Sequence, residues 1–184
     1  STESVESLAQ YGHRANHYLR GRKSDAWEGG HRVPFIAHWP ARIPAGTVCD
    51  ETLCLTDFLA TFAALTGKNL PDNAGEDSYN LLPAFFDETY ESPIREGTVA
   101  HSIDGVFAIR QGRWKLIDSP GSGGWSSGGG NAPKPGDPPV QLYCMVADVR
   151  EQRNLWDQHP EIVEELKALL ERYKAQGHSR RRAS

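Results

Sequence analysis

Thr98-Val99-Ala100-His101-Ser102-Ile103, Val106-Phe107-Ala108-Ile109-Arg110 and Trp114-Lys115-Leu116-Ile117 follow one another closely, parted only by Asp104-Gly105 and Gln111-Gly112. Short runs rich in β-branched and aromatic residues, punctuated by glycine turns, read as an antiparallel meander. Asp-Gly between the first two runs predicts a type I′ turn, because that turn needs positive φ at both central residues. Downstream, Asp118 to Pro139 is dominated by Gly, Ser and Pro, so it is expected to be a long flexible loop with Trp125 as its one large apolar group. Gln141-Leu142-Tyr143-Cys144-Met145 then returns as a fourth strand. The chain closes with Pro160 to Tyr173, where Pro160 suits a first helical position and Ile162, Val163, Leu166, Leu169, Leu170 and Tyr173 form one stripe. That helix is expected to pack on the four-stranded sheet.

Upstream of the meander the reading changes. Ser1 to Gly30 is polar and lacks a sustained period. Arg32-Val33-Pro34-Phe35-Ile36-Ala37-His38-Trp39 is a compact apolar run that predicts a buried strand, starting just after Pro34. Thr56 to Gly67 predicts a short helix capped by Thr56 and stopped by Gly67, with Leu55, Phe58, Leu59, Phe62 and Leu65 as its buried face. Leu81 to Phe86 predicts another short helical or turn element.

The chain has 184 residues, 38% of them apolar and 24% charged, which allows one ordinary hydrophobic core and excludes collagen-like, disulfide-dense and wholly disordered classes. No apolar run reaches the roughly 18 residues of a membrane helix, and the polar start predicts no export signal. A formal charge of -4 argues against nucleic-acid binding through overall charge, so neither nucleic acid nor membrane is expected as a partner. Arg180, Arg181 and Arg182 form a basic tail, expected to be solvated. Cys49, Cys54 and Cys144 are an odd number without CxxC spacing, which indicates neither a zinc site nor a closed disulfide framework.

The densest chemical signal is Gly12-His13-Arg14-Ala15-Asn16-His17-Tyr18-Leu19-Arg20-Gly21-Arg22-Lys23, continuing through Trp27-Glu28-Gly29-Gly30-His31-Arg32-Val33-Pro34. It reads as a glycine-punctuated loop of cations that can meet a sulfate or phosphate. Arg20, Arg22 and Lys23 can equally pair with Asp25 and Glu28 or face water. Both readings stand on composition.

The run Leu19-Arg20-Gly21-Arg22-Lys23 followed by Trp27 to Pro34 resembles the LRGxK…EGGxRVP signature of the formylglycine-dependent sulfatases. Trp39-Pro40 with Ile43-Pro44-Ala45-Gly46 looks like that family's WP…IPAG turn, and Thr56-Asp57 to Gly67 like its D…PT…AG helix. Ile109 to Ile117 is similar to its IRxGxWKLI hairpin, and Leu142-Tyr143 with Asp148, Glu151, Asn154 and Leu155 to its LY(D/N)L…D..E..NL motif. The motifs occur in order over nearly the whole chain.

The resemblance implies an α/β fold, the C-terminal portion of an alkaline-phosphatase-like sulfatase, ending in a small four-stranded antiparallel sheet packed by a C-terminal helix. It divides the chain into residues 1–95, the end of the catalytic domain; 96–176, a small α+β subdomain with the flexible loop 118–139; and 177–184, the basic tail. It implies that Lys23 contacts the sulfate, that His13 and Arg20 lie near substrate, and that Glu28 and Arg32 hold loop and strand together, an alternative role for Arg20 as well. The parent family uses formylglycine, made from the cysteine of CxPxR or CxAxR, and calcium. None of the three cysteines begins such a motif, and no Asp-Asn-Gly metal motif precedes the lysine loop. The chain is therefore expected to bind no metal or cofactor alone, to lack its N-terminal catalytic part, and to be inactive by itself. Its run at Arg32 to Trp39 would then keep an exposed edge, and its first helix an exposed apolar face.

The expected substrate is a sulfate ester, sulfated carbohydrate among the candidates. Two other functions are compatible with the same residues: a non-catalytic module that binds sulfated glycan through Lys23, Arg20 and the Trp125 loop, or a subunit completing a separate catalytic chain. The family points to an extracytoplasmic, periplasmic or lysosomal setting.

Overall fold

The computed structural model describes residues 8–88, 90, 93–127 and 134–180. They fold into two compact units that interleave along the chain, Ser1–Val33 with Val99–Lys167, and Pro34–Thr98 with Ala168–Ser184.

The first unit is built on the meander. Strands β1 (Thr98–His101), β2 (Phe107–Gln111), β3 (Trp114–Ile117) and β4 (Gln141–Cys144) form one sheet in the order β1-β2-β3-β4. The β2–β3 and β3–β4 pairs are antiparallel, with Ile109 opposite Leu116 and Leu116 opposite Leu142. The β2–β3 connection is a two-residue loop, Gly112-Arg113, and Gly112 takes φ 53°, which glycine adopts without steric penalty. The β1–β2 turn differs from the expected type I′. Its loop is Ile103-Asp104-Gly105, closed by Ser102 N donating to Val106 O (2.9 Å) and Gly105 N to Ser102 O (3.1 Å). Only Gly105 has positive φ, 79°, because a three-residue loop needs just one left-handed position.

Strand alternation sorts the sheet into two faces. Ile109, Leu116 and Leu142 share one, and all three are fully buried. Ala108, Ile117, Gln141, Lys115 and Tyr143 share the other. There Ala108, Ile117, Tyr143 and Met145 form one cluster with Ala26 and Trp27, with Val106 and Val149 packed against it. Burying each large apolar side chain contributes about 1.5–3 kcal/mol. The segment after β4 is fixed by Asn154, whose Oδ1 accepts from Leu142 N (2.9 Å) and whose Nδ2 donates to Val140 O (3.0 Å). Asp148 accepts from Gln152 N and Arg153 N, both at 2.8 Å. Those bonds give Asp148 and Asn154 a backbone-shaping role.

The second unit departs most from the sequence reading. Residues 32–39 form no strand: no described segment pairs with them, and without a ladder partner an apolar run remains irregular. Ile36 is 90% exposed. A 3₁₀ turn, Leu55–Asp57, leads into a helix at Phe58–Leu65, with Gly67 at φ 67° just beyond. Asp57, rather than Thr56, organises its start, accepting from Cys54 N (2.7 Å) and Tyr79 N (3.1 Å) and pairing with the Arg95 guanidinium. Arg95 also lies 4.5 Å from the centre of the Tyr79 ring. Thr61 Oγ1 donates to Asp57 O (2.7 Å) and accepts from Leu81 N (3.1 Å). The buried side of this helix is thus polar. Its expected core face, Leu55, Leu59, Phe62 and Leu65, is exposed, 58% for Phe62.

A helical turn, Leu82–Phe85, follows, and Phe35 stacks against Phe58 and Phe85 at centroid distances of 5.2 and 5.9 Å. The last helix runs Pro160–Gln176, beginning at the expected proline and ending before Gly177 at φ 69°. Val163, Leu166, Leu169, Leu170 and Tyr173 of its stripe are buried. Arg180 is not a solvated tail residue, since its guanidinium donates to the carbonyls of Pro71, Ala74 and Gly75. Arg181 and Arg182 lie outside the described residues. All three cysteines are free thiols. Among the described residues no helix is long and apolar enough to cross a membrane.

Candidate functional site

The cationic loop is a tight, strained turn. Gly21 takes φ 79° and Ser24 φ 86°, a region that side-chain-bearing residues enter at about 1–3 kcal/mol. Ser24 is held there by Ile103 N donating to its carbonyl (2.9 Å) and Trp125 N to its hydroxyl (3.1 Å). Lys23 sits between, exposed, with no hydrogen bond or ion pair among the described residues. A cation held on a fixed backbone with nothing to neutralise it is suited to an incoming anion.

Asp25, only 2% exposed, anchors the turn. Its carboxylate accepts from Arg22 N (2.7 Å), Ser122 Oγ (3.0 Å) and Ser126 N (3.1 Å), and from the Ser126 hydroxyl. Ala26 N donates to Ser122 O (2.8 Å), and Arg22 Nη2 to Trp125 O (3.0 Å). Residues 122–126 of the segment 118–139 are thus tied to the turn by these bonds. Serine hydroxyls satisfy the buried carboxylate, and Gly123 and Gly124 allow the close approach. A Cβ at Gly124 would lie 2.5 Å from Asp25 Oδ1, and one at Gly123 2.1 Å from Ser102 Oγ. Residues 128–133 lie outside the described residues.

Beneath the turn, a helical turn at Glu28–His31 packs against the loop's own backbone. Gly29 N donates to Arg20 O (2.8 Å), and a Cβ at Gly29 or Gly30 would lie 2.4 Å from Gly21 O or 2.0 Å from Asp25 O. Close backbone contact accounts for the Glu-Gly-Gly sequence. Glu28 itself points into the sheet, where Lys115 Nζ donates to Glu28 Oε1 (2.9 Å) and Glu151 Oε1 (2.7 Å). Glu151 Oε2 accepts from Glu28 N (2.8 Å), which ties the start of the turn to the segment after β4. All three side chains are at most 5% exposed.

Two carboxylates sharing one ammonium do not titrate alike. Burial alone would raise Glu28, but the hydrogen bond from His31 and the charge and hydrogen bond of Lys115 outweigh it, holding the carboxyl well below the usual range. Arg32 adds a further charge 3.6 Å away. Among the described residues Lys115 is the cation paired with the Glu151 carboxylate, and burial pushes that carboxyl up against the pull of Lys115.

A neutral relay continues alongside. Trp27 Nε1 and the Tyr143 hydroxyl both donate to Gln141 Oε1 (2.9 and 2.8 Å), and Gln141 Nε2 donates to the Ser119 and Gly121 carbonyls. Burial raises the Tyr143 hydroxyl to about 12, with nearby Arg20 pulling the other way.

Of the residues singled out in the sequence, Lys23 stands on the free surface of the turn. Arg20 turns toward the sheet: its Nη1 donates to Tyr143 Oη (3.0 Å) and Glu151 O (2.7 Å), and its guanidinium lies 3.8 Å over Trp27. His13 is exposed after the turn at Leu8, and its side chain bonds no described residue. Sequence reasoning named Asp25 only as a pairing partner for the loop's cations, and it missed Ser122, Ser126, Lys115 and Gln141 as parts of the site's framework. The only prior hint was a lysine inside the apolar run Trp114 to Ile117.

Comparison with known proteins gives matches over most of the chain. The family model described as Sulfatase matches residues 3–68. An N-acetylgalactosamine-6-O-sulfatase of Bacteroides thetaiotaomicron is 36% identical over 167 residues, covering 89% of this chain and 31% of that protein. Arylsulfatase H of Canis lupus familiaris is 31% identical over 179 residues, covering 83% and 30%. A Bacteroides thetaiotaomicron structure solved in a study of the metabolism of multiple glycosaminoglycans superposes with TM-score 0.74 at 33% identity, over 90% of this chain and 34% of that one. The structure of Ps i-CgsB with a neocarrahexaose gives TM-score 0.64 at 25% identity, over 84% and 31%.

Proposed function

Since the chain belongs to the sulfatase family and spans 31% of the length of the N-acetylgalactosamine-6-O-sulfatase it matches, we propose that it is the carboxy-terminal part of a sulfuric-ester hydrolase. Lys23 contacts the sulfate in this reading. The observation that carries it is an exposed, unpaired ammonium at the apex of a turn that Asp25, Ser122, Ser126 and the Glu28–Lys115–Glu151 trio hold rigid. A charge fixed before the ligand arrives needs no reorganisation as negative charge builds on the sulfate oxygens. Arg20 acts through Trp27 and Tyr143 as a positioning residue, and His13 lies near substrate.

The parent family relies on formylglycine and calcium. The residues here do not fit either group. Cys49, Cys54 and Cys144 start no CxPxR or CxAxR sequence, and among the described residues no group of three or more His, Cys, Asp or Glu side chains is set to hold a metal ion. The chain's own contribution is binding and orientation, and by itself it hydrolyses no sulfate ester. Titrating it with inorganic sulfate, while following the backbone amides of Gly21 and Ser24 by NMR, tests the reading. Lys23→Ala should weaken binding about tenfold, the loss of one charge-assisted contact. An unchanged affinity, or turnover of an aryl sulfate by this polypeptide alone, overturns it.

A further inference from the structure

We infer that the indole of Trp125 is the platform on which the sugar ring of a sulfated carbohydrate lies while Lys23 meets its sulfate, so that the two residues form one bidentate subsite. This rests on the Lys23 reading above and goes beyond it by assigning the substrate's ring.

Placement carries the inference. Arg22 Nη2 donates to Trp125 O (3.0 Å) and Trp125 N donates to Ser24 Oγ (3.1 Å), so the backbone of residue 125 is bonded to both neighbours of Lys23. The junction is locked from below by Asp25, through Ser122 and Ser126. Trp125 is nevertheless 49% exposed, and no described aromatic ring or cation stacks on its indole. An indole fixed by its own backbone and left half in water is already ordered. It therefore adds contact area to a ligand without a large entropic cost.

The chemistry of the partner follows from what surrounds the ring. A pyranose offers a C–H face for an indole and hydroxyls at its rim. Here the rim is polar: exposed Ser126 on one side and the Arg22–Lys23 turn on the other. The Ser126 hydroxyl donates to Asp25 and keeps lone pairs that can accept from a ring hydroxyl, a contact an aryl sulfate does not supply. A free sulfate would use the lysine alone.

The experiment compares the intact chain with Trp125→Ala, Trp125→Phe and Lys23→Ala. The ligands are a hexosamine 6-sulfate, the unsulfated hexosamine, an aryl sulfate and inorganic sulfate. The hydrogen bonds of Trp125 are made by its backbone, which Ala and Phe keep, so its replacement should leave the thermal midpoint unchanged, which is checked first. Expected is a loss of about tenfold in affinity for the sulfated sugar in Trp125→Ala, largely restored in Trp125→Phe, with inorganic sulfate unaffected. Lys23→Ala should weaken both. If Trp125→Ala binds the sulfated sugar as tightly as the parent chain while Lys23→Ala does not, the platform is overturned and the Lys23 reading survives. If Trp125→Ala weakens the aryl sulfate but not the sugar, the assignment to carbohydrate is overturned. If the parent chain binds none of the sulfated ligands, both fall.

Discussion

The face of the sheet that carries Lys115 and the helix Phe58–Leu65 solve opposite problems with similar residues. The sheet face draws three charges inside and partners each of them, Lys115 with Glu28 and Glu151. The helix and the 3₁₀ turn before it also bury polar residues, Asp57 and Thr61, but turn Leu55, Leu59 and Phe62 outward. An apolar stripe says which side of an element gains from leaving water, and only the rest of the fold says what it leaves water for. In the first unit the strands of one meander supply that cover. In the second, no described strand pairs with residues 32–39.

The contrast can be broken most severely at Lys115. Lys115→Met should cost about 3–5 kcal/mol, because two buried carboxylates lose their shared cation. Urea denaturation followed by the near-ultraviolet signal of Trp27 and Trp114 would read it. A loss under 1 kcal/mol would mean that water reaches the trio.

Acid sharpens the comparison at an intermediate scale. Glu28 is held below its ordinary range, so its contribution is present above the unfolded value of about 4.3 and is lost as pH falls below it, on the order of 2 kcal/mol. Glu151, pushed up by burial, has the opposite sign and loses its contribution as pH rises through its folded value. Glu28→Gln should therefore flatten the acid limb of a stability profile, while Glu151→Gln should leave that limb in place. Identical profiles for both variants would show that the two carboxyls titrate as one group.

The smallest effect on stability is expected on the exposed apolar face of the helix. Phe62→Lys should change stability by less than about 0.5 kcal/mol while reducing self-association in sedimentation velocity. A strong destabilisation would mean that the helix face is covered in solution.

The meander and the last helix were legible because their signals are local: glycine turns at fixed offsets, a 3.6-residue stripe, a proline at one end and a glycine at the other. Periodicity misread Leu59, which is exposed, and residues 32–39, which form no strand, since burial and pairing both depend on a partner that periodicity cannot name. The cationic loop was legible as a resemblance, residue by residue from Leu19 to Pro34, but its scaffold was not. A Gly/Ser stretch looks like a linker until a buried carboxylate such as Asp25 is known to face it, and Lys115 looks like a surface residue until Glu28 and Glu151 are placed around it.

Asp25 also has a meaning for protein engineers. One carboxylate gathers donors from residues 22, 122 and 126, so the segment it holds behaves as a cassette in a fixed socket. Ser122, Gly123, Gly124 and Ser126 are the plug, set by hydrogen bonds and by the absence of side-chain volume. The side chain at 125 rides on that plug, which residue 125 helps to seat through its backbone alone, and that makes it the position to randomise when a new ligand is wanted beside Lys23.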